Sequence, residues 1–380
     1  MKVLKNIGHF CRKEVVLTAA WAAAVISAFL VPPDAGYLSY IDLRSLGILW
    51  SLMVIMEGLK SIGFFSNLGA GLLKKTRRIW QLAAVLIFLC FFLSMLITND
   101  VALITFVPFT VFILSQIRLN ELLIPVIVLE TLAANLGSML TPIGNPQNLY
   151  LYGLSGMPFG AFLGLMLPYT AATFLLLVLS ICLLSDKNKR LPKATLTAAS
   201  ESDTSYKTSV SIYGLLFILA LLVVLRILPF WVLCAVVLIV VFFLKKQLLI
   251  KVDYALLFTF IGFFIFTGNL GRIPSVSRVL TDIIAGREAV TAVIASQVIS
   301  NVPAALLLSG FTDNYRELIV GVNLGGLGTL IASMASLISY KAVANSCPGK
   351  KGRYFLVFTI MNVIYLAALL LFRHLWGLLG

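Results

Sequence analysis

A series of long apolar runs, each bounded by charge or by glycine and proline, most constrains what this chain can become. Nine such runs lie near residues 15–31, 43–62, 121–149, 159–184, 210–225, 230–244, 254–270, 317–340 and 354–372. A helix needs about 20 mainly apolar residues to cross a bilayer, so the runs predict an all-α polytopic membrane protein with about nine transmembrane helices. The composition points the same way: 60% of residues are hydrophobic and 12% charged, against roughly 25% charged in an average soluble domain. A soluble enzyme and a disordered chain are both excluded. Two further apolar stretches, 79–116 and 288–310, are interrupted by Thr98-Asn99-Asp100 and by Ser300-Asn301. Irregular backbone survives at membrane depth only when buried in protein or lining a cavity, so both stretches predict re-entrant hairpins with polar tips.

The net charge of +14 could signal a nucleic-acid partner, but no RNA- or DNA-binding motif accompanies it and the bases form no aromatic-interleaved stripe. Their positions instead report topology. With a cytoplasmic N-terminus and each hairpin returning to its own side, 22 of the 29 bases fall inside and no lysine falls outside, as the positive-inside rule requires. The run Val15 to Val31 has no convincing cleavage site after it and reads as a retained helix rather than a signal peptide. The expected location is a prokaryotic cell (inner) membrane.

An internal repeat organises the chain. Asp42-Leu43-Arg44-Ser45-Leu46-Gly47 parallels Asp253-Tyr254-Ala255-Leu256-Leu257 at an offset of 211 residues. Met95-Leu96-Ile97-Thr98-Asn99 parallels Gln297-Val298-Ile299-Ser300-Asn301 at 202, and Ala134-Asn135-Leu136-Gly137 parallels Val322-Asn323-Leu324-Gly325 at 188. An odd number of spans separates the copies, so they face opposite ways: an inverted-topology repeat, common in secondary transporters. The expected division is a first repeat over 1–184 (hairpin 79–116, broken helix 121–149), a cytoplasmic linker over 185–209, and a second repeat over 210–380 (hairpin 288–310, broken helix 317–340).

Four polar patches carry the chemistry: the two hairpin tips, the run from Asn135 to Asn148, and Asn323-Leu324-Gly325-Gly326-Leu327-Gly328-Thr329 with Ser333 and Ser336 beyond it. Pro142, Gly144 and Pro146 cannot continue a helix, so the run from Leu122 predicts a helix unwound inside the membrane. Free carbonyls with Asn, Ser and Thr side chains suit a hard cation such as sodium, while the positive ends of half-helices suit an anion. Among the acids only Glu57, Asp100 and Glu130 fall well inside spans or hairpins, with no Lys or Arg expected beside them. A lone intramembrane carboxylate is a functional hypothesis by default. Asp100, on a tip, reads as part of a cation site or as a proton carrier; Glu57 and Glu130 read as groups held within helix contacts, their roles open.

The five cysteines (Cys11, Cys90, Cys182, Cys234, Cys347) are scattered and form neither a disulfide framework nor a zinc site. His9 and His374 lie near the chain ends, which leaves no core base. Without a zinc motif or an intramembrane aspartyl pair, an intramembrane enzyme is poorly supported. No phosphate-binding glycine loop indicates ATP as a direct energy source, and no cofactor is expected. A channel fits paired hairpins and broken helices less well than alternating access does.

At these residues the sequence resembles the ion transporter superfamily, in its citrate-transporter-like or anion permease branch, related to the divalent anion:sodium symporters and the arsenite permeases. Thr98-Asn99-Asp100-Val101-Ala102, the Asn135-to-Asn148 run, Ser300-Asn301-Val302-Pro303-Ala304 and the Gly321-to-Thr329 run carry the resemblance. It implies a homodimer in membrane lipid, an elevator-type motion, and a small anionic or oxyacid substrate coupled to sodium or protons. Carried over by motif, the cation would meet Thr98, Asn99, Asn135 and Gly137 in one half and Ser300, Asn301, Asn323 and Gly325 in the other. Substrate would contact Asn99, Thr141, Asn145, Asn301 and Thr329. The dicarboxylate symporters carry a Ser-Asn-Thr type motif at both tips, whereas this chain has Asp100 and Val302 at the third position. A carboxylate there repels a di- or tricarboxylate unless a proton or cation neutralises it. That departure favours proton coupling or a neutral oxyacid, and keeps arsenite/antimonite efflux and sodium/proton antiport as alternatives to anion symport.

Overall fold

The structure is a computed structural model, and it describes residues 14–73, 76–184, 189–191 and 204–379. His9, Cys11, Lys74, Lys75 and most of the expected 185–209 linker lie outside the described residues. The longer helices are α1 (Val15–Leu30), α2 (Leu43–Ser61), α3 (Phe64–Leu73), α4 (Ile79–Leu93), α5 (Asn99–Gln116), α6 (Leu123–Gly137), α7 (Pro146–Ser155) and α8 (Phe159–Cys182). They are followed by α9 (Thr204–Val224), α10 (Phe230–Lys245), α11 (Tyr254–Gly271), α12 (Pro274–Ile284), α13 (Glu288–Ile299), α14 (Asn301–Leu308), α15 (Tyr315–Gly325), α16 (Met334–Ser346) and α17 (Lys351–Leu379). Among the described residues the only β pairing is an isolated bridge between Arg78 and Arg190.

Six of these helical segments are long and apolar enough to cross a membrane, and α2 with α3, bent by 55°, makes a seventh if taken as one span. The chain is a multi-pass integral membrane protein. Runs 15–31 and 230–244 become helices of 16 residues each, about 24 Å long at 1.5 Å per residue. α6 gives way to irregular chain before α7, and eight residues separate the end of α15 from the start of α16. The second hairpin has arms of 12 and 8 residues, too short to cross. The second arm of the first hairpin, α5, has 18 residues and is long enough to cross.

Local chemistry sets the helix starts. The Asp42 carboxylate accepts from Ser45 N at 3.1 Å at the start of α2, and the Asp253 carboxylate accepts from Leu256 N at 3.0 Å at the start of α11. Such a cap stabilises a helix start by about 1 kcal/mol. The packing is crossed: α1 lies against α11, while α10 lies against α2. At the far end of α11 from Asp253, Asp34 and Arg272 pair at 2.8 Å, and the guanidinium holds the Asp34 carboxyl below its ordinary range.

The core sits around α6. The window from Leu123 to Leu140 is 89% buried, whereas that of α17 is 22% buried, so α6 is enclosed by protein and α17 presents its apolar side chains to lipid. Close approach of α6 to α4 depends on Gly137, where a Cβ would stand 2.2 Å from the Phe91 carbonyl oxygen. Gly325 makes the matching approach of α15 to α13, 2.6 Å from Ser296 Oγ. Glu57 corrects an expectation: it is not alone, because Lys60 one turn on reaches it at 3.4 Å. Side chains three apart on a helix are neighbours, and this pair lies near the end of α2.

Gly137→Ala is therefore expected to destabilise the protein by about 1–3 kcal/mol through forced separation of α4 and α6. Gly164→Ala, where nothing lies within 4 Å, is expected to be neutral or slightly stabilising, since Ala is the better helix former by about 1 kcal/mol. Thermal melts of the detergent-purified variants check both.

Candidate functional site

The two tips and the two breaks meet. A cavity of about 10 Å³ is lined by Asn99 and Asp100, Pro146 and Gln147, Asn301 and Val302, and Ser333, Met334 and Ala335, with Leu256 of α11 at its edge. The first two residues of α5, α7, α14 and α16 are all in that set, so four helix N-termini converge on one point. Each helix start carries the positive end of its macrodipole, equivalent to roughly +0.5 of a charge. The space takes about one water, so a larger solute requires the tips to part.

Backbone hydrogen bonds hold each tip to the break of its own half. Asn99 N donates to Gly144 O at 3.1 Å, and Asn301 N donates to Ala332 O at 2.9 Å. Thr141 Oγ1 donates to Met95 O, and Thr329 Oγ1 donates to Gln297 O at 3.2 Å. Gly144 has no room for a side chain: a Cβ would lie 2.1 Å from Ser138 O.

Between the halves the side chains cross. Asn135 Oδ1 accepts from Asn99 Nδ2 at 3.0 Å and from Ser333 Oγ at 3.1 Å, while Asn135 Nδ2 donates to Ser336 Oγ at 3.2 Å. In the matching position Asn323 Oδ1 accepts from Asn145 Nδ2 at 3.2 Å, and Asn323 Nδ2 donates to Asn148 Oδ1 at 2.6 Å. Each unwound helix is thus read by the half-helix of the other half. Deeper, Thr131 Oγ1 donates to Ser339 Oγ at 2.8 Å, extending a polar file along α6 and α16. Glu130 accepts from Thr110 and is fully buried.

Of the residues expected to bind cation or substrate, Asn99, Asp100 and Asn301 line the cavity. Asn135, Asn145 and Asn323 stand behind it in the crossed network. Thr98 and Ser300 precede the two tip helices as their N-cap residues. Thr141 and Thr329 fasten the breaks to the hairpins, and Gly137 and Gly325 are helix-contact positions. Sequence reasoning did not single out Gln297, whose Nε2 donates to Gly325 O at 3.0 Å and Leu327 O at 2.9 Å while its Oε1 accepts from Thr329 N at 2.9 Å. It satisfies the frayed end of α15; its only signal was its place beside the tip. Ser339 was also passed over, and Gln147 and Asn148, though inside the Asn135-to-Asn148 run, were assigned to no ligand. The i, i+3 spacing of Ser333, Ser336 and Ser339 in an apolar run could have flagged Ser339.

Among the described residues no three His, Cys, Asp or Glu side chains gather. The donor set here is neutral amide, hydroxyl and carbonyl oxygen with one carboxylate, which suits a hard monovalent cation rather than a transition metal. Ser300 adopts φ 74° and ψ 155°, a region that is essentially glycine's and costs about 1–3 kcal/mol otherwise; its counterpart Thr98 is at φ −64°.

Residues 10–314 match the family model for citrate transporters. An uncharacterized transporter of Methanocaldococcus jannaschii is 33% identical over 88% of this chain and 90% of its own length. The inner membrane protein YbiR of Escherichia coli is 32% identical over 83% of this chain and 84% of its own. The silicon efflux transporter LSI3 of Oryza sativa is 33% identical over 39% of this chain and 30% of its own.

Asn323→Ala removes both the acceptor of Asn145 and the donor of Asn148 in a buried site, and is expected to cost about 1–3 kcal/mol as a lowered melting temperature. Ser300→Gly is expected to act in the opposite direction and raise it, because glycine takes that conformation without strain.

Proposed function

The chain belongs to the citrate transporter family and is a membrane transporter, not an enzyme; on that premise we propose that it moves a small anion, a carboxylate or inorganic oxyanion, by secondary active transport driven by a sodium or proton gradient. The observation that carries this reading is the convergence of four helix N-termini on one cavity. Their summed field favours negative charge, and the neutral oxygens of Asn99, Asn135, Ser333 and Asn301 beside it suit a coupling cation.

The spans, hairpins and breaks read best as two inverted repeats, within 1–184 and 210–380, joined by a cytoplasmic linker, with the N-terminus inside the cell. The crossed helix contacts and the matched offsets support that frame. The cavity stands level with Leu256, in the first turn of α11, which is the end that the positive charge assigns to the cytoplasm. A site near one face in an alternating-access protein is an inward-facing state, and an elevator-type shift of tips and breaks past α2 and α11 would carry it outward. A homodimer fixed through the remaining helices would supply the stationary part.

Asp100 favours a second reading. Its carboxylate lines the cavity with no cationic side chain in the lining, which suits a substrate without charge of its own: a neutral oxyacid, as the name of the silicon efflux relative suggests, moved in exchange for protons.

Uptake into proteoliposomes of citrate, succinate, sulfate, phosphate, arsenite and silicic acid, each under an imposed sodium or proton gradient, tests both readings. Saturable, gradient-driven accumulation of an anion supports the first, and of silicic acid or arsenite alone the second. Gradient-independent, non-saturating flux refutes both and indicates a channel; sodium–proton exchange with no added solute indicates an antiporter. Asp100→Asn is expected to flatten the pH or sodium dependence of that uptake, and an unchanged dependence removes Asp100 from the coupling site.

A further inference from the structure

A second, far larger cavity, of about 680 Å³, lies away from the tips, where the loop joining α5 to α6, the end of α8 and the start of α17 come together. Among the described residues, Arg118, Lys189 and Arg353 line it against one acid, Glu121. Its composition changes with depth. The charged residues sit at or just beyond helix ends, while Met361 on α17 lies eight residues past Arg353, about 12 Å deeper, and Leu129 on α6 lies six residues past the start of that helix, about 9 Å deeper, at 1.5 Å per residue.

Other contacts hold the backbone around these residues in place. Ile79 N donates to the Lys189 carbonyl at 3.1 Å, and Leu191 N donates to Arg77 O at 3.0 Å. Lys350 Nζ donates to Asn120 O at 2.9 Å, drawing the start of α17 onto the α5–α6 loop. Arg353 then stands in the first turn of α17, a turn with no acidic residue. A cation there adds to the positive end of the helix instead of offsetting it. None of the ion pairs among the described residues involves Arg118 or Arg353. The result, among the described residues, is an excess of positive charge over Glu121 at the mouth of an apolar slot in a membrane protein.

We infer that this cavity binds an anionic phospholipid, its phosphate held by Arg118 and Arg353 and its acyl chains along Leu129 and Met361. Basic pockets between transmembrane helices at the membrane surface take such headgroups, and a free inorganic anion would have no use for the apolar wall. The inference does not rest on the transport reading, nor on which face is cytoplasmic.

The test compares melting temperatures of the full-length, detergent-purified protein with added palmitoyl-oleoyl phosphatidylglycerol, with phosphatidylcholine of the same chains, and with inorganic phosphate. Phosphatidylglycerol is expected to raise the melting temperature several degrees more than phosphatidylcholine, and phosphate to leave it unchanged. Arg118→Gln with Arg353→Gln is expected to remove at least half of that difference, while Arg44→Gln, at the start of α2, keeps it. Equal shifts from both lipids overturn the inference, as does a difference that survives the double variant. A shift reproduced by phosphate overturns it in favour of a soluble-anion site. If the double variant does not fold, each single substitution carries the same expectation at reduced size, and the wild-type lipid comparison still decides.

Discussion

Breaking a helix inside a bilayer exposes peptide groups where no water can satisfy them, at several kcal/mol for each group left unpaired. Everything at the centre of this molecule follows from how two such breaks are satisfied. In the first, the Asn148 amide donates to Met139 O and Thr141 O, both at 3.3 Å, and Gly144 O takes the tip amide of Asn99. In the second, Gln297 takes Gly325 and Leu327, and Ala332 O takes the tip amide of Asn301. The hairpins are thus required by the breaks. A tip without its break, or a break without its tip, leaves buried donors or acceptors unmet. The side-chain crossing from Asn135 to Ser333 and from Asn323 to Asn145 then makes each half incomplete without the other.

The two halves use the same geometry with different side chains, and the differences decide where space is left. Asn145 and Asn148 fill the position opposite Asn323, whereas the shorter Ser333 and Ser336 stand opposite Asn135. A serine hydroxyl reaches less far than an asparagine amide, and the cavity lies on that side: Ser333 lines it and Asn145 does not. The strained Ser300 belongs to the same side. A conformation that costs energy persists only where its surroundings impose it; here the short link from α13 to α14 must turn within one residue, whereas the first half spreads its turn over Ser94 to Thr98.

Much of this was legible in the chain. Prolines and glycines placed between Asn135 and Asn148 in an apolar run announce a break, and Asp42 and Asp253 mark matched helix starts through a side chain that reaches only three residues ahead. Local chemistry of that kind is readable because sequence neighbours are spatial neighbours. The partners of Asn135 and Asn323 were not readable, since they lie 198 and 178 residues away and any buried amide or hydroxyl would have served. Gly137 and Gly325 were ambiguous for a different reason: glycine frees a carbonyl for an ion and also admits a neighbouring helix, and only the 2.2 Å approach to Phe91 shows that packing uses the first of them. Glu57 looked isolated because the run was read as a uniform apolar span, whereas a helix brings Lys60 onto the same face.

The charge at the centre frames the chemistry the proposed transporter must perform. Four helix starts at roughly +0.5 each amount to about +2 in partial charge, and an ionised Asp100 takes away one. On the proposed reading, the remaining positive potential matches a single negative charge. A dianion would then need a bound cation or a proton on Asp100 to be held equally well, and a neutral oxyacid would leave the potential unanswered unless Asp100 stayed ionised beside a second anion. Coupling to a cation is in this sense a consequence of the lining rather than an addition to it: Val302 in place of a second polar tip residue leaves Asp100 as the one group in the lining whose charge can change as the site fills and empties.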